Sequence, residues 1–383
     1  MVVLFIQKMD GVSGSETYYL HILPELKRRG ITPHFFLVQS PKGTAKNQDF
    51  IETLESQGIV VHTYTTQFLV TWGILKRIQR IIETEKIDIV QTNLIHADFY
   101  GAMTKLLFNR SMKLISTKHG FNDLFQQKHG FNAKKVNKFK LYYLTYRFSA
   151  LFADKIVAIS QGLADLITQS KITTADNIQV IRYGFDFEFD TSTFDRNAYR
   201  WGNPQAIIIS RFVPYKQHSM VLALMPKILE KFPDFCLVLL GVGPLEAELK
   251  AQCNQLGISQ RVKFLGFQPV HPYIEASDLM IFPSTSEGFG LVILESWFHN
   301  KAIIAFDMPA PNEIITANQD GILIPPYNQT LLLEAILDLL ANPAKADALG
   351  RAGHEKLKGY YNLDIMATAT IDNYTQVLNR PAV

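Results

Sequence analysis

Cysteine is almost missing from this chain: there are two in 383 residues, Cys236 in an apolar strand-like run and Cys253 on a helical stretch. Their spacing fits neither a metal site nor a disulfide framework, so a packed core has to supply the stability, and a reducing compartment fits best. Long apolar runs are missing too. No stretch reaches the roughly twenty residues that a membrane-spanning helix needs. The first residues, Met1-Val2-Val3-Leu4-Phe5-Ile6-Gln7, carry no basic leader and make too short an apolar run for a secretory signal. The expectation is a cytoplasmic protein. Strong net charge is also absent, at +3 overall, and no recognition motif accompanies it, so nucleic acid is not expected as a partner.

One absence is local. Between Asp123 and Asp154 there is no acidic residue, while Lys128, Lys134, Lys135, Lys138, Lys140 and Arg147 fall there among Phe131, Phe139, Tyr142, Tyr143, Tyr146 and Phe148. These cations account for the basic excess of the N-terminal half. Two readings stand side by side. Residues 128–148 could lie on an anionic membrane surface, at the inner face of a membrane, or form a scaffold helix with a solvated basic face and an aromatic core stripe.

What is present is core. Apolar residues make up 47% of a chain longer than one core comfortably supports, so two domains are expected. Strand-like runs alternate with helical ones throughout, the pattern of an α/β protein with parallel sheets covered on both faces. The first series starts at Val2–Gln7, runs through the loop Asp10–Glu16 into a helix stopped at Gly30, and places a helix over Phe50–Gly58. It reaches strands at Ile87–Thr92 and Lys113–Thr117, the latter followed by Lys118-His119-Gly120. A polar stretch up to Pro204 separates it from a second series. The expected division is residues 1–185, residues 186–363, and a terminal helix, 364–383, packing back on the first domain. The acidic run Asp186, Glu188, Asp190 reads as linker; a divalent metal there is the alternative.

In parallel sheets, ligands bind at the carboxyl ends of the strands. The second series puts three chemically pointed features there. Arg211 and Lys216 follow the strand Ala206–Ser210, a fork and a point charge suited to a diphosphate. Gly241 and Gly243 make a turn after the next strand. Ser286-Glu287-Gly288-Phe289-Gly290-Leu291 follows the strand Asp278–Ser284 and opens a helix carrying Glu295. A glycine turn at a helix start is an anion site, and carboxylates beside it suit sugar hydroxyls. An ordinary helix start with an acidic residue nearby is the bland alternative.

Taken together, these segments resemble family 4 glycosyltransferases of the GT-B fold. The resemblance is carried in order by Gly11–Glu16, Lys118-His119-Gly120, Val157–Ser160, Ile181–Asp186, Arg211 with Lys216, Gly241–Pro244, Phe264-Leu265-Gly266, and Glu287 through Glu295. It implies two Rossmann-like domains facing across a cleft, the N-terminal one on the acceptor side and the second binding a nucleoside-diphosphate sugar. Arg211 and Lys216 would neutralise the diphosphate, Glu287 would bind sugar hydroxyls and Glu295 the ribose. Backbone at Phe289, Gly290 and Leu291 would meet sugar and distal phosphate, Gly14 would approach the diphosphate, Gly241 and Gly243 would lie by the donor, Phe267 near the base, and His119 by the donor sugar. Asn93–Phe99 and Gly120–Phe131 are expected as acceptor-side loops. The family retains anomeric configuration and needs no bound metal or cofactor. Tyr183 stands where the family often has Asn, and Gln217 where Gly is frequent.

The resulting expectation is sugar transfer to a hydroxyl of a glycan or lipid-linked acceptor, in the synthesis of a cell-surface polysaccharide or glycoconjugate. A nucleotide-sugar epimerase and a non-catalytic nucleotide-sugar-binding protein are the rivals. A Rossmann dehydrogenase is disfavoured, because neither half has the dinucleotide glycine pattern.

Overall fold

The computed structural model describes residues 1–11, 14–120, 126–127, 130–131, 138 and 140–380, with backbone alone at 14–15, 126–127 and 130–131. Two compact units emerge. One is built from Met1–Gly120, Ala133–Asp186 and Asn362–Val383, the other chiefly from Phe187–Tyr361.

The first unit runs β1 (Val2–Lys8), α1 (Gly14–Arg28), β2 (Thr32–Gln39), α2 (Thr44–Ser56), β3 (Val60–Thr65), α3 (Trp72–Thr84), β4 (Ile89–Asn93), α4 (Leu94–Leu107) and β5 (Lys113–Lys118). A hairpin of β6 (Gln126–Gln127) and β7 (Gly130–Phe131), which groups with the second unit, follows in sequence. Then come α5 (Leu141–Phe152), β8 (Lys155–Ala158), α6 (Gln161–Gln169) and β9 (Ile178–Val180). The second unit runs β10 (Gln205–Ile209), α7 (His218–Lys231), β11 (Cys236–Leu240), α8 (Glu246–Gln255), β12 (Val262–Phe264), α9 (Val270–Ala276), β13 (Leu279–Phe282), α10 (Leu291–Phe298), β14 (Ala302–Phe306), α11 (Pro311–Ile314), β15 (Ile322–Ile324), α12 (Gln329–Ala341) and α13 (Pro343–Tyr360). The chain ends in α14 (Leu363–Asn379), which belongs to the first unit.

Each unit holds one parallel sheet. The seven-stranded sheet has the order β3-β2-β1-β4-β5-β8-β9 and the six-stranded sheet β12-β11-β10-β13-β14-β15. In both, strand order reverses once, between β1 and β4 and between β10 and β13. At such a reversal the connections leave in opposite directions and open a crevice at the carboxyl edge.

Local chemistry explains the elements. Thr71 caps α3 by accepting the Ile74 N–H at 3.2 Å, and Ile74, Leu75, Ile78, Ile81 and Ile82 then form one buried stripe. Asn362 caps α14 in the same way, accepting from Ile365 at 2.9 Å. Gly30, at φ 85°, lets the chain leave α1 through the left-handed region. The central strands are buried on both faces, as a parallel sheet under two helical layers requires. Both cysteines lie in the second core, their thiols pushed up to about 11 by burial, so neither is reactive.

Two expectations fail. The helix expected over Phe50–Gly58 begins earlier, at Thr44, where the polar run Lys46–Asp49 gives no apolar period to read. Asn93–Phe99 is not a loop: Asn93 ends β4 and the rest is helix α4. Leu94 joins them at φ 66°, a strained conformation for a branched side chain and one that no sequence pattern announces.

Candidate functional site

The second sheet's switch point collects most of the charged candidates. The connection after β10 carries Arg211 and a single 3₁₀ turn, Pro214–Lys216. Gln217 then sits at φ 54°, the left-handed region that glycine adopts freely. The connection after β13 runs to Gly290, which starts α10 at φ 108°. A Cβ there would meet only the movable end of the Ile293 side chain, Cδ1 at 2.9 Å, so it is the dihedral that calls for glycine. The two connections are stitched together: the Tyr215 carbonyl accepts the Thr285 N–H at 2.8 Å and its hydroxyl at 3.2 Å.

That stitching brings Lys216 and Glu287 into a direct ion pair, with side chains only 12% and 13% exposed. Arg211, on the exposed side, donates from Nη2 to the Tyr215 hydroxyl at 2.6 Å. In the first turn of α10 the Ile293 N–H bonds the Gly290 carbonyl at 2.9 Å, while the Leu291 and Val292 amides precede any intrahelical carbonyl they could bond. Glu295, the fifth residue of α10, is half-buried, and desolvation pushes its carboxyl up to about 7. Phe289 is buried against Tyr361, and Leu291 is partly exposed at the helix start.

Gly241 and Gly243 have a scaffolding reason to be glycine. A Cβ at Gly241 would lie 2.1 Å from the Ser210 carbonyl and one at Gly243 2.5 Å from the Phe212 carbonyl. The Phe212 N–H donates to the Val242 carbonyl at 3.1 Å, so this turn fixes the segment that bears Arg211. Phe267 is 80% exposed beyond it.

At the first sheet's switch point Gly14 opens α1, and the described residues Met9–Gly11 after β1 are anchored by Asn47 of α2. The Asn47 Oδ1 accepts the Gly11 N–H at 2.7 Å, and its amide donates to the Met9 carbonyl at 3.1 Å. His119, just past β5, is held at both ring nitrogens. The Asn93 amide donates to Nε2 at 2.6 Å, which leaves the proton on Nδ1, facing the Tyr183 hydroxyl. Tyr183 also stacks on the imidazole, and Tyr18 meets it edge-on. Desolvation, helped by nearby Lys118, lowers the His119 pKa to about 3, so the ring is neutral at working pH. Lys118 itself is buried against Asp98, which also accepts from Thr92 and Ser116, each at 2.6 Å. Tyr183 and Lys118 entered the sequence reading only as motif positions, and Asp98 only as a strand-end residue in a segment expected to be a loop; their pairing and packing were not foreseen. The departure from Asn at position 183 was the one available signal.

In the acidic run, Asp190 accepts the Ser192 N–H at 2.8 Å and Asp186 the Leu363 N–H at 3.3 Å. Among the described residues no group of three or more His, Cys, Asp or Glu side chains is placed to hold a metal ion. Likewise, no helix among them is long and apolar enough to cross a membrane. Lys128, Lys134, Lys135 and Phe139 of the basic stretch lie outside the described residues.

Comparison with known proteins follows the same division. The family described as Glycosyltransferase Family 4 matches residues 12–189, and that described as Glycosyl transferases group 1 matches residues 191–356. An uncharacterised glycosyltransferase of Methanocaldococcus jannaschii is 26% identical over 286 residues, 74% of either chain. The lipopolysaccharide core biosynthesis glycosyltransferase LpsE of Rhizobium meliloti is 28% identical over 177 residues, 46% of this chain and 49% of that one, so the match spans about half the length of that relative. Among solved structures, Anabaena HepE in complex with UDP-glucose superposes with a TM-score of 0.79 at 20% identity, over 98% of this chain and all of that one. The chain belongs to the group 1, family 4 glycosyltransferases and is built on the GT-B fold.

Proposed function

We propose that this enzyme moves a sugar from a nucleoside-diphosphate donor to a hydroxyl of a glycan or lipid-linked acceptor, with retention of configuration and without a bound metal. The observation that carries the reading is the second sheet's edge: Arg211, Lys216 and the start of α10 gathered at one switch point. Glycosyl transfer needs a leaving diphosphate stabilised as its charge grows. Fixed cations and helix amides aimed at that position act chiefly in the transition state. Glu287 and Glu295 supply carboxylates that can accept from hydroxyls of the sugar and the ribose. The neutral imidazole of His119 suits an uncharged hydroxyl rather than a phosphate. No protein nucleophile is required, because the departing phosphate can take the acceptor's proton. The UDP-glucose bound by the Anabaena neighbour and the polysaccharide role named for the Rhizobium relative support the donor and acceptor classes.

The test is release of nucleoside diphosphate from UDP-, GDP- and ADP-sugars in EDTA, with a pooled cell-envelope lipid and glycan fraction as acceptor source. One donor should be consumed with EDTA present. Conversion of donor alone into an isomeric donor would favour the epimerase, and no turnover of any donor the binding protein.

A second observation bears on where the enzyme works. Helix α5 turns Leu141, Leu144 and Leu151 outward, at 79%, 50% and 75% exposure, beside Lys140 and Arg147. Phe68, Leu69, Val70 and Trp72 are exposed as well, with Trp72 against Phe108 at the end of α4, which packs on α5. Apolar side chains beside cations fit an anionic membrane surface. Co-sedimentation with phosphatidylglycerol vesicles should fall at least several-fold in a Leu141→Ser/Leu144→Ser/Leu151→Ser variant. Unchanged sedimentation would remove the membrane from the account.

A further inference from the structure

The ion pair between Lys216 and Glu287 raises a question of competition. Both side chains are largely buried, and both are held by connections that the Tyr215–Thr285 hydrogen bonds lock together. On the reading above, each has a different ligand: Lys216 takes the diphosphate and Glu287 the sugar. Without donor, each instead has the other. A diphosphate that approaches Lys216 must displace a carboxylate already charge-paired with it, and the freed carboxylate then needs donors of its own in a poorly solvated place.

We propose that Glu287 is an internal competitor for the diphosphate site, so that the protein holds an intact nucleotide sugar well and the bare nucleoside diphosphate poorly. With the intact donor, sugar hydroxyls donate to Glu287 at the same time as the phosphates take Lys216, and no charge is stranded. After transfer the sugar has left. Glu287 then lacks its hydroxyl donors and returns to Lys216, which drives the nucleoside diphosphate out. The same carboxylate therefore recognises the substrate and expels the product. Arg211, whose guanidinium faces the Tyr215 hydroxyl on the exposed side, keeps a cation at the site for the first encounter.

This inference rests on the proposed donor class, and the experiment separates the two. Titration calorimetry is run with inorganic pyrophosphate, with UDP, GDP and ADP, and with the matching nucleotide sugars, on wild type, Glu287→Gln, Glu287→Ala, and the double variant Glu287→Gln/Lys216→Gln. Pyrophosphate carries the charge without base, ribose or sugar, so it reads the ion pair whichever nucleotide the enzyme uses. The expected result is that both Glu287 variants bind pyrophosphate, and the one nucleoside diphosphate that fits, about three- to tenfold more tightly than wild type. They should bind the corresponding nucleotide sugar less tightly than wild type does. The gain should vanish in the double variant, since it depends on a released Lys216. Equal or weaker pyrophosphate binding by folded Glu287→Gln and Glu287→Ala overturns the competition. A failure of every nucleotide sugar to bind wild type overturns the donor reading instead, while the pyrophosphate arm still decides the ion pair.

Discussion

The two sheets share a topology and differ in what they present at their carboxyl edges. At the first, charge is put away. Lys118 and Asp98 neutralise each other in the core, and what remains at the strand ends is a neutral imidazole clasped by Asn93 and Tyr183. At the second, charge is kept at the surface of the crevice: exposed Arg211, the part-buried Lys216–Glu287 pair, and Glu295 with its carboxyl pushed up to about 7. A strand order shared over six strands therefore does not dictate chemistry. One edge suits uncharged hydroxyl-bearing groups and the other a diphosphate, and the division follows from where each unit buries its ions.

The largest effect expected from breaking this contrast is at the buried pair. Asp98→Asn leaves the Lys118 ammonium without a counterion in the core and should lower unfolding free energy by roughly 3–5 kcal/mol in urea titrations. The double variant Asp98→Leu/Lys118→Met should lose much less. If both lose equally, the pair does not act as a mutually neutralised unit. Next comes the second edge: Lys216→Ala should reduce turnover by about 2–4 kcal/mol in transition-state stabilisation, with kcat falling more than KM rises. An unchanged kcat would remove Lys216 from the chemistry.

The two edges should also respond to pH with opposite signs. Glu295 is raised above its unfolded value of 4.5 to about 7 in the fold. The folded state thus holds the extra proton between those values, and stability is lost as pH rises through them. Glu295→Gln should be more stable than wild type at pH 8 by roughly 1–3 kcal/mol, with the difference shrinking toward pH 4.5. Thermal melts across that range check it, and a constant difference would contradict the buried-carboxyl account. His119 behaves the other way. Its pKa falls from 6.5 to about 3, so the unfolded chain binds the proton first and stability drops as pH falls below 6.5. At pH 5.5 the His119→Gln variant should be spared about 1 kcal/mol of that acid loss. A His119 imidazole titrating near 6.5 by NMR would contradict the neutral edge.

Much of the second edge was readable because its signals are local. Strand, glycine turn and helix follow one another within twenty residues, and the two cations sit at one strand end. The first edge was less readable because its logic lies in register. Lys118 ends β5 and Asp98, twenty residues earlier, lies on α4, so the two meet only because α4 packs on β5 beside its pairing with β4. Helix α4 was hidden for a different reason. Packed against α3, α5 and β1, it is apolar over much of its surface and lacks the amphipathic period that marks α3. The Lys216–Glu287 pair was invisible for a third: each residue was assigned a ligand, and nothing along the chain shows that they meet.

The central claim is that the diphosphate binds the second unit's edge and leaves the first unit's edge to uncharged groups. Hydrogen–deuterium exchange with and without saturating UDP, GDP or ADP tests it most directly. The account predicts slowed exchange in peptides covering 210–217 and 284–292, with little change at 93–98 or 114–120. Protection confined to the first sheet's edge, with none at the start of α10, would contradict it.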